Sequence, residues 1–180
     1  MQRKLKEMVI YFGKKFAKDA VPFVTFRPTS GQIERVDTFK LLGVMFSSDL
    51  SWGPHVLYLL SKVSKRYYLI FQLARVGVAQ HDIIRIYCAI IRSVLEYACA
   101  VWHSGLTTAQ SNDIERVQKR CLRIIFPELS YSDALFVAGL DRLSVRREQI
   151  VRDTFKNMQL PSHILHNLLP TMHDHQFNSR

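Results

Sequence analysis

The hydrophobic pattern of this chain changes its period once, at the turn Ser51-Trp52-Gly53-Pro54. Before the turn, short apolar segments with period-two character are separated by glycine and proline, as in strands and hairpins. After the turn, apolar residues recur at i, i+3, i+4 and i+7, which is typical of helices. This switch predicts an α+β fold, in which a small amino-terminal antiparallel sheet or set of hairpins precedes a mostly α-helical bundle.

The amino-terminal part, residues 1–50, contains four strand candidates. They cover 5–12, 23–26, 33–36 and 39–46, and the last is the strongest because it is almost continuously apolar. Between the first two candidates lies a basic loop at 13–20. We expect these segments to form one unit that ends at the Trp52 turn.

The helical part, residues 51–170, begins with a helix that starts at Pro54 and ends at Gly77. A second helix, 81–102, is apolar nearly all round and should therefore be central in the bundle. The third helix should begin at a capping box formed by Thr107 and Gln110 and end at Pro127. A short helix, 131–138, should follow with Ser130 as its cap. A further helix is predicted to start near Ser144, and a last short helix should lie between Pro161 and Pro170. The tail, 171–180, is predicted to be disordered.

Basic residues dominate the outer faces of two of these helices. The chain has 25 Lys and Arg against 15 Asp and Glu, a formal net charge of +10, and no acidic residue occurs between Pro54 and Gly77. The basic positions are Lys62, Lys65 and Arg66 on the first helix and Lys119, Arg120 and Arg123 on the third. Such faces fit nucleic-acid phosphates, although ordinary solubilising faces have the same composition.

The patterns of known catalytic and metal sites are missing from the sequence. The closest carboxylates, Glu34 with Asp37 and Asp113 with Glu115, are interpreted as solvated charges. No nucleophile elbow or phosphate loop occurs, and the histidine pairs His163 with His166 and His173 with His175 are poor zinc ligands because no thiolate is nearby. We therefore predict no catalytic residue, no metal site and no small-molecule substrate. No segment reaches the ~20 apolar residues of a membrane span.

Two residue types have a structural interpretation. The cysteines Cys88, Cys99 and Cys121 lie in apolar helical segments without a C-x-x-C spacing, which indicates buried, reduced thiols and an intracellular protein. Trp52 is expected to pack at the corner between the two parts, and base stacking is the alternative role.

Five segments in order resemble a known family. They are KLKEMVI, GQIERVDTFKLLGVMFSSDLSWGPHV, SKVSKRYYLIFQLARVGV, YCAIIRSVLEYACAVWHSGLT and IERVQKRCLRIIFP, which together span about residues 4–169. Their order and spacing resemble the carboxyl-terminal part of the reverse transcriptases of non-LTR (LINE-like) retrotransposons. The resemblance implies palm-edge strands in 1–50 and a thumb with a connection region in 51–170.

The resemblance also implies roles for particular residues. Phe39, Lys40, Leu41, Leu42 and Gly43 match the hairpin that grips the primer end, where a glycine lets the backbone approach a nucleic-acid strand. The three basic residues of the first helix would lie on the thumb. The implied partner is an RNA–DNA or DNA duplex, bound weakly and without sequence preference.

The family's catalytic aspartates would lie upstream of Lys4, and the Mg²⁺ cofactor would belong with them. We therefore expect a truncated fragment that is not an enzyme on its own and has no cofactor. Two alternatives remain: a structural relic without independent function, or the carboxyl-terminal part of an RNA-directed DNA polymerase whose catalytic portion is separate. If the fragment binds duplex nucleic acid, Lys62→Glu with Arg66→Glu should weaken that binding more than a similar substitution at Arg146 and Arg147.

Overall fold

The computed structural model describes residues 6–10 and 33–170, and its architecture is the predicted α+β fold with a helical bundle. The strands are β1 (Lys6–Glu7), β2 (Glu34–Arg35), β3 (Thr38–Leu41) and β4 (Val44–Ser47). The helices are α1 (Gly53–Ser64), α2 (Tyr67–Arg75), α3 (Gln80–Tyr87), α4 (Ser93–Glu96), α5 (Cys99–Trp102), α6 (Thr108–Ile125), α7 (Tyr131–Ala138) and α8 (Leu143–Met158). The predictions for 13–20, 23–26 and 171–180 concern segments outside the described residues.

The strands form two small sheets rather than one. β3 and β4 pair antiparallel as expected, whereas β1 pairs with β2 in parallel, which differs from the predicted direction. The predicted strand 39–46 is wrong as a single strand, because the chain reverses within it. Leu42 and Gly43 have φ of 46° and 87°, and two successive positive φ values are what a tight two-residue hairpin turn requires.

The predicted helix from Pro54 to Gly77 is two helices. α1 ends at Ser64 and α2 begins at Tyr67, with Lys65 and Arg66 between them. The Arg66 guanidinium donates a hydrogen bond to the Ile90 carbonyl oxygen across the bundle. The apolar stripe continues through the break, so periodicity alone could not show it. Gly77, with φ of 79°, does end the second of these helices as predicted.

The predicted helix 81–102 is also interrupted. A π-helical turn, Cys88–Arg92, follows α3. The helix is interrupted again after α4, where Ala98 takes a left-handed φ of 51°. The helix is nevertheless the centre of the bundle, as its composition indicated. Tyr87, Ile91 and Leu95 are completely buried along it.

The caps of the next two helices follow the sequence prediction. The Thr107 hydroxyl accepts from the Gln110 amide at 3.2 Å, and the Gln110 side chain accepts from the Thr107 amide at 2.9 Å. Ser130 accepts from the Asp133 amide at 3.3 Å in the same way for α7. The final predicted helix is only a 3₁₀ turn, His166–Leu168.

Trp52 packs at the corner between the hairpin and the helices, as predicted. Its ring centroid lies 5.8 Å from that of Phe46. A Cβ at Gly105 would lie 2.4 Å from the indole Nε1, so the glycine leaves room for the ring. The thiols of Cys99 and Cys121 are buried and Cys88 is half-buried; burial raises the pKa of Cys121 to about 12, which keeps that thiol protonated.

Candidate nucleic-acid interface

The β3–β4 hairpin, α1 and α4 enclose a groove of about 480 Å³, which we call the hairpin groove. Its lining combines cations, aromatic rings and exposed backbone: Lys40, Leu42, Gly43, Tyr58, Leu59, Lys62, Ser93, Val94 and Tyr97. Among these lining residues there is no carboxylate. The groove therefore presents positive charge and hydrogen-bond donors to any ligand that enters it.

The positive charge of the hairpin groove comes from two lysine side chains that lie beside the ring of Tyr58. The Lys40 ammonium lies 4.6 Å from its ring centroid and the Lys62 ammonium 5.8 Å from it. Hydrogen bonding to Lys40, with a further contribution from Lys62, lowers the pKa of the Tyr58 hydroxyl. Two cations on one ring form a compact site that fits an anionic group such as a phosphate.

The hairpin turn is held close to the helical part by Tyr97. The Tyr97 hydroxyl donates to the Leu42 carbonyl oxygen at 2.9 Å. A Cβ on Gly43 would lie 3.0 Å from Tyr97 Cε1, a contact closer than normal packing. Glycine is thus required at this turn both for its positive φ and for its missing side chain.

A buried histidine lies between the hairpin and the helices. His55 is completely buried, and its Nδ1 accepts the Met45 amide of β4 at 3.3 Å, so Nε2 carries the proton. Nε2 has no polar partner among the described residues, but the His55 ring meets that of Trp102 edge-on, 5.2 Å between centroids. Burial lowers the pKa of His55 and favours the neutral ring.

A second groove, which we call the α6–α7 groove, has a volume of about 560 Å³. Its lining combines four cations of α6 with apolar residues and one ring: Arg116, Lys119, Arg120, Leu122, Arg123, Pro127, Leu129, Tyr131 and Ala134. Lys119 Nζ lies 5.4 Å from the centroid of the Tyr131 ring, and the Arg120 guanidinium lies 4.7 Å from that of Tyr67. Arg116 forms an ion pair with Asp113.

The wall of this second groove is fixed by a buried hydrogen-bond network. Gln118 accepts from the Tyr87 hydroxyl at 2.7 Å and donates to the Tyr131 hydroxyl at 3.1 Å and the Asp141 carbonyl oxygen at 2.9 Å. The Tyr131 hydroxyl donates in turn to Glu115. Burial and the Glu115 carboxylate raise the pKa of Tyr131, so its hydroxyl remains a donor.

Glu115 is not the solvated charge that the sequence predicted. It is half-buried, and its carboxylate accepts from the Leu143 and Ser144 amides at 3.4 Å. These amides begin α8, where a negative charge stabilises the free N–H groups and the helix dipole. Glu115 therefore ties α6, α7 and α8 together.

The two grooves account for most of the predicted binding residues. Lys40, Leu42, Gly43 and Lys62 meet in the hairpin groove, and Lys119, Arg120 and Arg123 meet in the α6–α7 groove. Leu41 and Lys65 are exposed but line neither groove. Arg66 is half-buried and bonded to Ile90, which makes it part of the helix packing rather than of an outer face.

Sequence analysis did not assign a binding role to Tyr58, Ser93, Tyr97 or Tyr131. Tyr58 lies one helical turn before Lys62, so helix periodicity could have paired them. Tyr97 occupies the break between α4 and α5, and its contact with Leu42 spans 55 residues of sequence. No local pattern indicates such a contact.

Arg147 proves unsuitable as a surface control for charge swaps because it is completely buried. Its Nε contacts His103 Nδ1 at 3.4 Å and its Nη2 contacts Ser111 Oγ at 3.3 Å. The guanidinium lies 5.8 Å from the Trp102 ring centroid. Burial lowers the pKa of Arg147, and replacing it would disturb the core rather than a surface.

The parts of the chain that the structure describes contain no cluster of three His, Cys, Asp or Glu residues able to hold a metal ion. Within the same residues, no helix has the length and hydropathy needed to cross a bilayer. The chain matches no protein-family model, and neither a curated protein nor a solved structure is significantly similar to it.

Proposed function

We propose that this chain is a reverse-transcriptase-like palm-edge and thumb unit that binds template–primer duplex through its backbone and does not itself polymerise. The ordered motifs that resemble non-LTR retrotransposon reverse transcriptases motivate the choice of ligand. An RNA–DNA hybrid or a DNA duplex is the expected partner, and contact with phosphates makes the binding independent of sequence.

The convergence of residues in the hairpin groove is the observation that carries this proposal. Lys40 and Gly43 come from the hairpin and Lys62 from α1, and all line one groove without a carboxylate. Each phosphate of a nucleic-acid backbone carries one negative charge, so two of them would pair with the Lys40 and Lys62 ammonium groups. The turn at Gly43 lets backbone approach the ligand, which is the role that the resemblance implies for this segment.

The test measures binding of the full chain to a fluorescent RNA–DNA hybrid by anisotropy across a series of salt concentrations. For the wild type, log Kd should rise linearly with log salt, with a slope that counts the neutralised phosphates at about 0.9 each. Lys40→Glu with Lys62→Glu should weaken binding at least tenfold near 0.1 M salt. The same double variant should also reduce the slope by about 2.

Arg152→Glu with Lys156→Glu is the matched control, because both residues are exposed on α8 and the change in charge is the same. Long-range charge alone should then weaken binding by about twofold to threefold. Equal losses from the two double variants would contradict a specific hairpin-groove site. Absence of binding at low salt by a folded wild type would instead favour a relic without independent function.

A further inference from the structure

The α6–α7 groove combines four cations of one helix with apolar residues and a tyrosine ring. Leu122 and Ala134 lie buried beneath the groove, and its exposed apolar surface comes from Pro127 and Leu129. The mixed lining indicates a ligand that carries a negative charge beside a flat, weakly polar group.

The cations of the groove are spaced along one helix stripe. Arg116, Lys119, Arg120 and Arg123 stand at i, i+3, i+4 and i+7 on α6. At a rise of ~1.5 Å per residue they extend over about 10 Å along one side of the helix. Arg123 forms no ion pair with any carboxylate among the described residues and is free to bind an anion.

The wall formed by Tyr131 is in place before any ligand arrives. Its hydroxyl is fixed between Gln118 and Glu115, and Lys119 lies over its ring. Pro127, on the rim, has no side-chain rotamers to order. A prebuilt wall lowers the entropic cost of binding a small planar group.

We propose that the α6–α7 groove binds an unpaired nucleotide of a single-stranded nucleic acid. The base packs against Pro127 and Leu129 beside Tyr131, and the flanking phosphates contact Lys119, Arg120 and Arg123. Bases stack on tyrosine rings and on guanidinium planes irrespective of sequence, so the site needs no base-specific hydrogen bonds.

An acidic peptide fits the groove less well. An amphipathic peptide helix requires an elongated apolar trough for side chains at i, i+3, i+4 and i+7. This groove instead has a single row of cations and only two exposed aliphatic residues in its lining, Pro127 and Leu129. The inference deepens the proposed function and rests on it only in taking nucleic acid as the ligand.

The experiment measures the affinity of the full chain, at fixed salt, for two fluorescent single strands of ten nucleotides. One is oligo(dT) and the other is an abasic strand of equal charge. Oligo(dT) should bind about tenfold more tightly than the abasic strand, because only it can place a base in the groove. Equal binding of the two strands would overturn the proposal without any variant. Oligo(dT) that fails to bind at low salt would also overturn it.

Two variants localise the effect. Leu129→Ser, at a partly exposed rim position, should reduce the oligo(dT) preference to about twofold and leave abasic binding unchanged. Arg123→Ala should weaken both strands alike. If the preference survives Leu129→Ser, the base lies elsewhere. If a poly-glutamate peptide displaces oligo(dT) at equal charge concentration, the groove favours a peptide ligand.

The hairpin-groove variant separates this proposal from the proposed function. Lys40→Glu with Lys62→Glu should weaken hybrid binding and preserve the ratio of oligo(dT) to abasic affinity. A preserved ratio without any effect on hybrid binding would contradict the proposed function alone. A lost ratio in that variant would contradict the present inference, because the base would then lie in the hairpin groove.

Discussion

The two grooves are built in different ways from the same kinds of residue. The hairpin groove takes its lining from three segments of the chain, around residues 40–43, 58–62 and 93–97. The α6–α7 groove takes its lining from one continuous segment, 116–134. The shape of the hairpin groove therefore depends on how separate elements pack, whereas the lining of the α6–α7 groove comes from two consecutive helices and the loop between them.

This difference determines what keeps each groove in shape. The hairpin groove is closed by Tyr97, which reaches the turn through one hydrogen bond and one close contact. The α6–α7 groove is supported from within by Gln118, which bonds three partners on other elements. Variants of these supports should damage one groove and spare the other.

The largest effect is expected for Gln118→Leu. Leucine would leave the Tyr87 hydroxyl and the Asp141 carbonyl oxygen without this partner in a buried site, and the Tyr131 hydroxyl would keep only its bond to Glu115. Each unsatisfied group costs about 1–3 kcal/mol, and partial relaxation should hold the total near 2–4 kcal/mol of unfolding free energy. Urea denaturation monitored by circular dichroism measures this loss.

The exposed glutamine Gln149 of α8 provides the matched control for that substitution. Gln149→Leu removes only a surface hydrogen bond to Asp153 and should change the unfolding free energy by less than about 0.5 kcal/mol. Under conditions in which it remains folded, Gln118→Leu should lower the preference for oligo(dT) over the abasic strand and leave hybrid binding unchanged. A loss below 1 kcal/mol would show that the network does not support the α6–α7 groove.

A smaller effect, confined to the hairpin groove, is expected for Gly43→Ala. Gly43 has φ of +87°, and its Cβ would lie 3.0 Å from Tyr97 Cε1. Gly77 offers a comparison, since its φ is +79° and nothing lies within 4 Å of its Cβ. Strain alone should cost about 1 kcal/mol in Gly77→Ala, and the contact with Tyr97 should raise the cost to about 2 kcal/mol in Gly43→Ala.

Hybrid binding distinguishes the two alanine variants further. Gly43→Ala should weaken it because the turn moves away from Tyr97, whereas Gly77→Ala should leave it unchanged. If both variants lose the same free energy and bind alike, the close approach of the turn to Tyr97 has no role in forming the groove.

The sequence predicted the parts of the molecule that depend on local pattern. The α+β class, the caps at Thr107 and Ser130, and the row of cations on α6 all follow from residues within a few positions of each other. The apolar pattern placed the Gly43 turn inside a single strand, although the family resemblance implied a hairpin at this segment. Local pattern also could not show that Glu115 binds the start of α8 or that Arg147 is buried, because both depend on contacts more than 25 residues apart.

The smallest effect is a dependence of the hairpin on pH. Burial lowers the pKa of His55 below its ordinary 6.5, so the folded state resists protonation of this ring while the unfolded state accepts it. The stabilisation is complete above pH 6.5 and decreases as the pH falls towards the folded-state pKa, by at most about 1.4 kcal/mol per pH unit. Protonation would also remove the Nδ1 lone pair that accepts the Met45 amide.

The α6–α7 groove should respond less to mild acid, because no histidine is among its lining residues. Hydrogen exchange of the Met45 amide between pH 7.5 and 5.5, corrected for intrinsic rates, should therefore show earlier loss of protection than the amides of α6. His55→Asn retains an acceptor near the Nδ1 position and cannot be protonated, so it should reduce the pH dependence. The lowered pKa of His103 leaves a residual contribution, which the further variant His103→Gln should remove. Equal acid sensitivity of Met45 and α6 in the wild type would mean that the two grooves open in one cooperative step, and the distinction between them would then apply to binding alone.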